Sequence, residues 1–382
     1  MIDTRFHAVC EAAAVAWDVP ALAIGVAVGG DVETLEIGCE PGTRFRVASV
    51  TKPFTATLAL ELLDLEETTG VWAADVRVRH LLSHTSGYDC ELGDLSRFGD
   101  GDDALEAVVT ELPAVRRWVG VEQAWSYSNA GYWLAGRLCA RAAGTSYEEA
   151  MAQRILRPLG LEATSFEASP DVPGTGRDAE EGPYPRARRP SGGLVSSVPD
   201  LLRFGRHHLE TPGSARMRIV HGKPPGGVYG LGLGGERVAG VDVWAHGGSY
   251  GGYQSQLLLV PDRNAVFVGL TNSSVGKQAL REIEDAFFEH IVGQPRQERE
   301  TVELPDDVLE AFAGTYANSD AWSEVAATPG GLLLANADEE MPARPIGERT
   351  FEITEGDHLR DRFDFPLEGF GRFGSRLAER VS

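Results

Sequence analysis

Alanine, valine and tryptophan recur at helical spacing over residues 3–18, and Val19-Pro20 ends the run, predicting an N-terminal helix. Residues 21–38 (ALAIGVAVGGDVETLEIG) are two apolar runs hinged at Gly29-Gly30-Asp31, a hairpin pattern. Residues 50–66 return to a helical pattern, with leucines at 58, 60, 62, 63 and 65. From about 72 to 205 the pattern is mostly helical with long loops; residues 130–144 form one such helix and 168–193 a Gly/Pro-rich connector. Strand patterns come back at 239–246 and 253–272, where QSQLLLV and AVFVGLTN flank the turn PDRN, and 275–293 reads as a closing helix. Beyond it, short strand-like pieces (AGTYA, GGLLLAN, TFEIT) alternate with Gly, Pro and Asp turns. This order predicts an α+β domain over 1–295, its sheet completed from both ends, with a helical subdomain at about 65–205. A polar linker at 296–303 and a small all-β module over 304–382, barrel-like, complete the chain.

The 382 residues suit two domains. A formal charge of −22 argues against a nucleic-acid or anionic-membrane partner, since both demand basic surfaces. No run of apolar residues is long enough to span a bilayer. The first residues, MIDTRFHAVCEAAAVAW, carry acids and lack the basic start of a secretory signal, so a cytoplasmic location is expected. Cys10, Cys39, Cys90 and Cys139 form no CxxC pair, which excludes a Cys-rich zinc site and predicts four reduced thiols in the core. No metal or other cofactor is expected. Only three lysines occur (Lys52, Lys223 and Lys277) against 32 arginines, so a retained lysine suggests chemistry a guanidinium cannot perform, such as giving up a proton.

Lys52 stands three residues after Ser49 at the head of the 50–66 pattern. That spacing puts hydroxyl and ammonium on one helix face, where the helix N-terminus favours a serine anion and disfavours a charged lysine. A lysine tuned towards about 7–8 serves as general base. Taken alone, the same four residues also describe an N-cap serine beside an exposed lysine. Two later segments change that balance: Trp125-Ser126-Tyr127-Ser128-Asn129, between predicted helices, and His246-Gly247-Gly248-Ser249, before the last hairpin.

Ser-x-x-Lys, Tyr-x-Asn and a basic residue followed by x-Gly, in that order, resemble the serine β-lactamases and penicillin-binding proteins, and within them the class C branch with its D-aminopeptidase and esterase relatives. RFRVASVTKPFTA (44–56), VRHLLSHTSG (78–87), SYSNAGYWLAG (126–136), RPLGL (157–161), SGGLVSS (191–197), YGLGLG (229–234) and HGGSYGGY (246–253) are similar to that family's landmarks, in order, over residues 20 to about 290. The resemblance implies the β-lactamase/transpeptidase fold, with the last 80 or so residues a lipocalin-like module. It implies a Ser49 nucleophile, Lys52 as base and Tyr127 as proton relay. Asn129 would hold Lys52 and the substrate amide, and the Ser49 and Ser249 N–H groups would form the oxyanion hole. Gly247 and Gly248 would let backbone approach substrate, and Trp125, like Trp133 and Trp244, either lines the cleft or fills the core. His246 departs from the lysine of many β-lactamases. At its ordinary pKa of about 6.5 it would be half charged near neutrality, so its attraction for a substrate carboxylate would fade above pH 7. The loops 86–104 and 168–192 are expected to wall the entrance.

The leading expectation is hydrolysis of an amide or ester of a small molecule or short peptide, D-configured residues included. Acyl transfer or peptide cyclisation through the same acyl-enzyme, and a silent ligand-binding relative, are the alternatives. Gly247–Gly251 also matches G-x-S-x-G, and Gly230–Gly235 matches G-x-G-x-x-G, but neither is followed by the helix its motif requires. His80 and His84 lack the glutamate of H-E-x-x-H and read as local turn partners, and His207-His208 reads as surface.

Overall fold

The alternating pattern at 21–38 becomes the antiparallel hairpin Leu22–Val28/Asp31–Ile37, turned at Gly29 with φ +60°, a conformation that favours glycine. Leu22–Val28 then pairs with Ala265–Thr271, joining the two ends of the α+β part of the chain. The resulting seven-stranded antiparallel sheet runs 31–37, 22–28, 265–271, 253–260, 241–250, 234–238, 228–229. The computed structural model describes residues 3–180, 182–238, 240–319 and 321–382, the Ser96 side chain excepted.

One face of the sheet is covered by the helices Thr4–Ala16 and Gly276–Ala286, the latter continued by the π-helical turn Phe287–Val292; together they bury Phe6, Ile283 and Phe287 against Ile24 and Phe267. The other face carries Val198–Glu210 and, beyond it, the helical subdomain. There the chain lies so close to the sheet that a methyl group on Gly25 would fall 2.3 Å from Val198 Cγ1. Phe54 of the helix Thr51–Leu62 stacks on Phe204 with ring centres 3.6 Å apart, tying subdomain to sheet. The expected helix over 50–66 stops at Leu62. Leu63 is extended (φ −121°), and the carbonyls of Leu65 and Glu67 accept the N–H groups of Arg79 and Val78, which makes this leucine-rich stretch a paired loop. Strand Gly234–Val238 escaped the sequence pattern because a Gly-Gly-Glu-Arg run has no apolar alternation. His208 is buried against Phe204, not at the surface, and burial presses its pKa down to about 3.

Residues 314–380 close into an eight-stranded antiparallel barrel, Tyr316 pairing with Arg380 to seal it. Its interior is packed by Phe312, Phe351, Phe363, Phe365 and Phe373. Residues 294–303 do more than connect. Arg296 binds Glu236, Glu284 and Asp285 of the sheet domain, and Arg299 bridges Glu236 to Glu352 of the barrel. Cys10, Cys90 and Cys139 are buried free thiols, and Cys39 is a half-buried one.

Candidate active site

The strand pair Phe45–Arg46/Val195–Ser196 leads into a tight turn, Ala48–Val50, in which Ala48 takes φ +43° before the helix Thr51–Leu62 begins. This turn lifts Ser49 to the mouth of a cavity of about 890 Å³ and leaves Lys52, one helical turn later, fully buried beneath it. Lys52 Nζ lies 3.1 Å from Ser49 Oγ and donates to the Ser191 carbonyl at 2.7 Å. Tyr127 O–H donates to Ser49 Oγ at 2.9 Å. The serine oxygen is thus held between an amine and a phenol.

Burial pushes the Lys52 pKa down to about 7. The Cys90 thiol and the Glu91 carboxylate hold it up against that fall, while Arg188 and Arg376 lower it further. Burial also raises Tyr127 well above the phenol range, so Tyr127 keeps its proton at neutrality. Glu91 sits in a small electrostatic cluster: Asn129 Nδ2 donates to it, and Arg376 and Arg188 lie 3.6 and 3.8 Å away. Asn129 therefore turns its amide to Glu91, and Lys52 takes its second partner from Ser191.

Strand Val241–Tyr250 passes directly behind the serine. A methyl group on Gly248 would fall 2.3 Å from the Val47 carbonyl oxygen, 2.4 Å from Ser255 Oγ and 3.0 Å from the Ser49 nitrogen. Gly247 and Ser249, on either side, face the cavity. His246 also reaches it, but differs from expectation. Burial and the Lys52 charge press its pKa down to about 3, and its Nδ1 bonds the Gly247 carbonyl at 2.7 Å. A histidine neutral throughout pH 6–8 supplies no charge for a carboxylate. Trp125 stands behind the cavity wall, its ring among His84, Tyr229 and the Arg372 guanidinium.

Four residues at this site went unremarked as site residues in the sequence. Ser191 and His84 lay inside the fragments SGGLVSS and VRHLLSHTSG. Glu91 and Arg376 carried no local signal, because only the folded chain brings them together. Arg376 comes from the barrel, whose Gly374, Ser375 and Arg376 line the cavity opposite Ser49. Of the loops expected at the entrance, 168–192 contributes Arg177 and Asp178 to the lining.

The profile of the beta-lactamase family matches residues 10–288, and the chain belongs to that family. It is a serine hydrolase of β-lactamase and penicillin-binding-protein type. Penicillin-binding protein 4 of Amycolatopsis lactamdurans is 29% identical over 363 residues, spanning 78% of this chain and 93% of that protein. SurE, solved with D-Leu, superposes over 99% of both chains with a TM-score of 0.77 at 24% identity. A D-stereospecific amidohydrolase from Streptomyces sp. superposes with 75% of this chain and 99% of its own, with a TM-score of 0.63 at 26% identity.

Proposed function

We propose that this hydrolase cleaves an amide or ester through an acyl-enzyme on Ser49, with acyl groups from D-configured residues as its substrate class. The observation that carries this reading is the serine oxygen held between Lys52 Nζ and Tyr127 O–H, with Lys52 tuned to about 7. A lysine with that pKa is about half free base at neutrality, and in that form takes the Ser49 proton as Oγ attacks the carbonyl carbon. The Ser49 and Ser249 N–H groups would hold the developing oxyanion. The close pass of Gly248 over the Ser49 nitrogen supports that pairing. Tyr127, still protonated, passes its proton to the leaving amine or alcohol and is restored through Lys52. Water then enters by the reverse route, gives up a proton to the same pair, and releases the acid. Asn129 acts from behind by fixing Glu91, which tunes Lys52. The D-configured class is supported by the D-stereospecific amidohydrolase and by the D-Leu held by SurE.

Intact-protein mass after incubation with a fluorophosphonate, and separately with a penicillin, tests the reading. A single adduct that disappears in Ser49→Ala supports it, and an adduct that survives the substitution removes Ser49 as nucleophile. Adding an amine and weighing the product separates hydrolysis from acyl transfer.

A further inference from the structure

Residues 125–128 run extended between two neighbours. On one side His84 accepts the Ser126 N–H at its carbonyl (2.9 Å) and the Ser128 N–H at Nδ1 (3.0 Å). On the other side stands the barrel hairpin Phe370–Phe373/Arg376–Arg380. Arg372 Nη1 donates to the Trp125 carbonyl at 2.7 Å, the Leu377 N–H to Ser126 Oγ at 3.1 Å, and the Tyr127 N–H to the Ser375 carbonyl at 2.9 Å. Three consecutive residues, ending in the tyrosine, are each bonded to the hairpin. Gly374 and Ser375 form the two-residue turn of this hairpin, both with the positive φ (+52° and +72°) that such a turn requires, and Ser375 presents its carbonyl to Tyr127.

Arg372 anchors the arrangement. It is 2% exposed, its Nε donates to Asp364 at 2.8 Å, its Nη2 donates to the same carboxylate, and its guanidinium lies 5.6 Å from the Trp125 ring centre. The pair sits on the outer face of the barrel, since Phe363, Phe365 and Phe373 alternate with it into the interior, and a buried ion pair is weak as a source of stability, because desolvation offsets attraction. The pair is better explained by what it reaches outside the barrel. Ser49, by contrast, is seated against Val47 and Gly248 and owes its position to the sheet. Loosening the hairpin would shift one partner of the serine–tyrosine contact and leave the other in place.

We infer that Arg372 is a positioning residue: through the Trp125 carbonyl and the hairpin it anchors, it sets the Tyr127 hydroxyl against Ser49. The inference rests on the acyl-enzyme reading above. Since about 1 Å of misplacement can lower a rate about 10²-fold, the barrel becomes part of the active site.

The full-length Arg372→Met/Asp364→Leu variant removes both charges together and so avoids stranding one of them. With p-nitrophenyl butyrate, kcat is expected to fall about 10²-fold with KM within about threefold, and fluorophosphonate labelling of Ser49 to slow by a similar factor. Circular dichroism and the melting temperature should stay close to those of the parent. Arg372→Lys, which keeps the charge and loses the fork, should recover part of kcat. A folded double variant with parental kcat and labelling rate, or one changed in KM alone, overturns the inference. If the double variant does not fold, Arg372→Lys decides: a lowered kcat at unchanged KM supports the inference and a parental kcat overturns it. Absence of Ser49-dependent labelling in the parent overturns the acyl-enzyme reading and this inference with it. Ser49-dependent labelling that ignores Arg372 overturns this inference alone.

Discussion

Lys52 shows how one side chain can set both rate and stability. Its pKa falls from 10.5 to about 7, which corresponds to on the order of 5 kcal/mol against the charged form. The unfolded lysine holds its proton up to about 10.5, so folding releases a proton between about pH 7 and 10.5. Stability should therefore rise with pH across that window, with the cost fully present below about 7. Lys52→Met should abolish turnover yet stabilise the fold by about 2 kcal/mol, since the unpaired Ser191 carbonyl offsets part of the relief; urea unfolding at pH 7 checks it. Acylation requires the free amine, so its rate should rise with pH through about 7. In Glu91→Gln the lost carboxylate no longer favours the ammonium, and the midpoint should move to lower pH, as fluorophosphonate labelling across pH 5–9 will show. His246→Gln should leave that midpoint unmoved, because His246 does not titrate there. That Ser49, Lys52 and Tyr127 come together was readable in the sequence, because Ser49 and Lys52 are one helical turn apart and the order of the motifs is distinctive. The charge state of His246 was not readable: it depends on burial beside Tyr127 and Tyr229 and on Lys52, which only the folded chain brings together.

The candidate active site is mounted on the ends of elements, and those ends follow simple rules. Ser128 caps the helix Asn129–Ala143 by accepting the Gly131 N–H at 3.2 Å while donating to the Asp89 carbonyl, and Gly144 closes it at φ +69°. Ser128→Ala should lose about 1 kcal/mol of stability and lower turnover, because the capped end carries Asn129 and adjoins Tyr127; thermal unfolding and ester hydrolysis report the two effects. Gly248→Ala should lower kcat/KM by at least about 10²-fold, because the strand must retreat from the Val47 carbonyl and the Ser49 nitrogen together. Both hairpins and the main helices were legible from periodicity. Helix ends were less so: leucines at 63 and 65 continue the helical pattern, yet Leu63 turns extended and backbone pairing of Leu65 and Glu67 with 78–79 takes the chain out of the helix, a contact that periodicity does not encode.

Across the whole molecule, a charged seam joins barrel to sheet domain. Asp361 takes Lys277, Arg281 and His358 at once. Burial pushes its carboxyl up, but His358, Lys277 and Arg281 together hold it well below the carboxylate range. That stabilisation is present above the unfolded pKa of about 4 and is lost as pH falls below it. Protease cleavage within 294–303 should quicken on acidification below about pH 4, and Asp361→Asn should bring about a tenfold increase to neutral pH, equivalent to roughly 1.4 kcal/mol. The sequence indicated a separate β module but not its seam, because Arg281, Arg360 and Arg362 find their acids on the other side of it, far away in the chain. The contact between Tyr127 and Ser375 also bears on inheritance. A gene that lost its last eighty codons would leave the Trp125 carbonyl and the Tyr127 N–H without their partners in the same event that opened the cavity. The module is therefore not an appendage that drift can trim residue by residue. Discarding it would require the tyrosine segment to be remade at the same time.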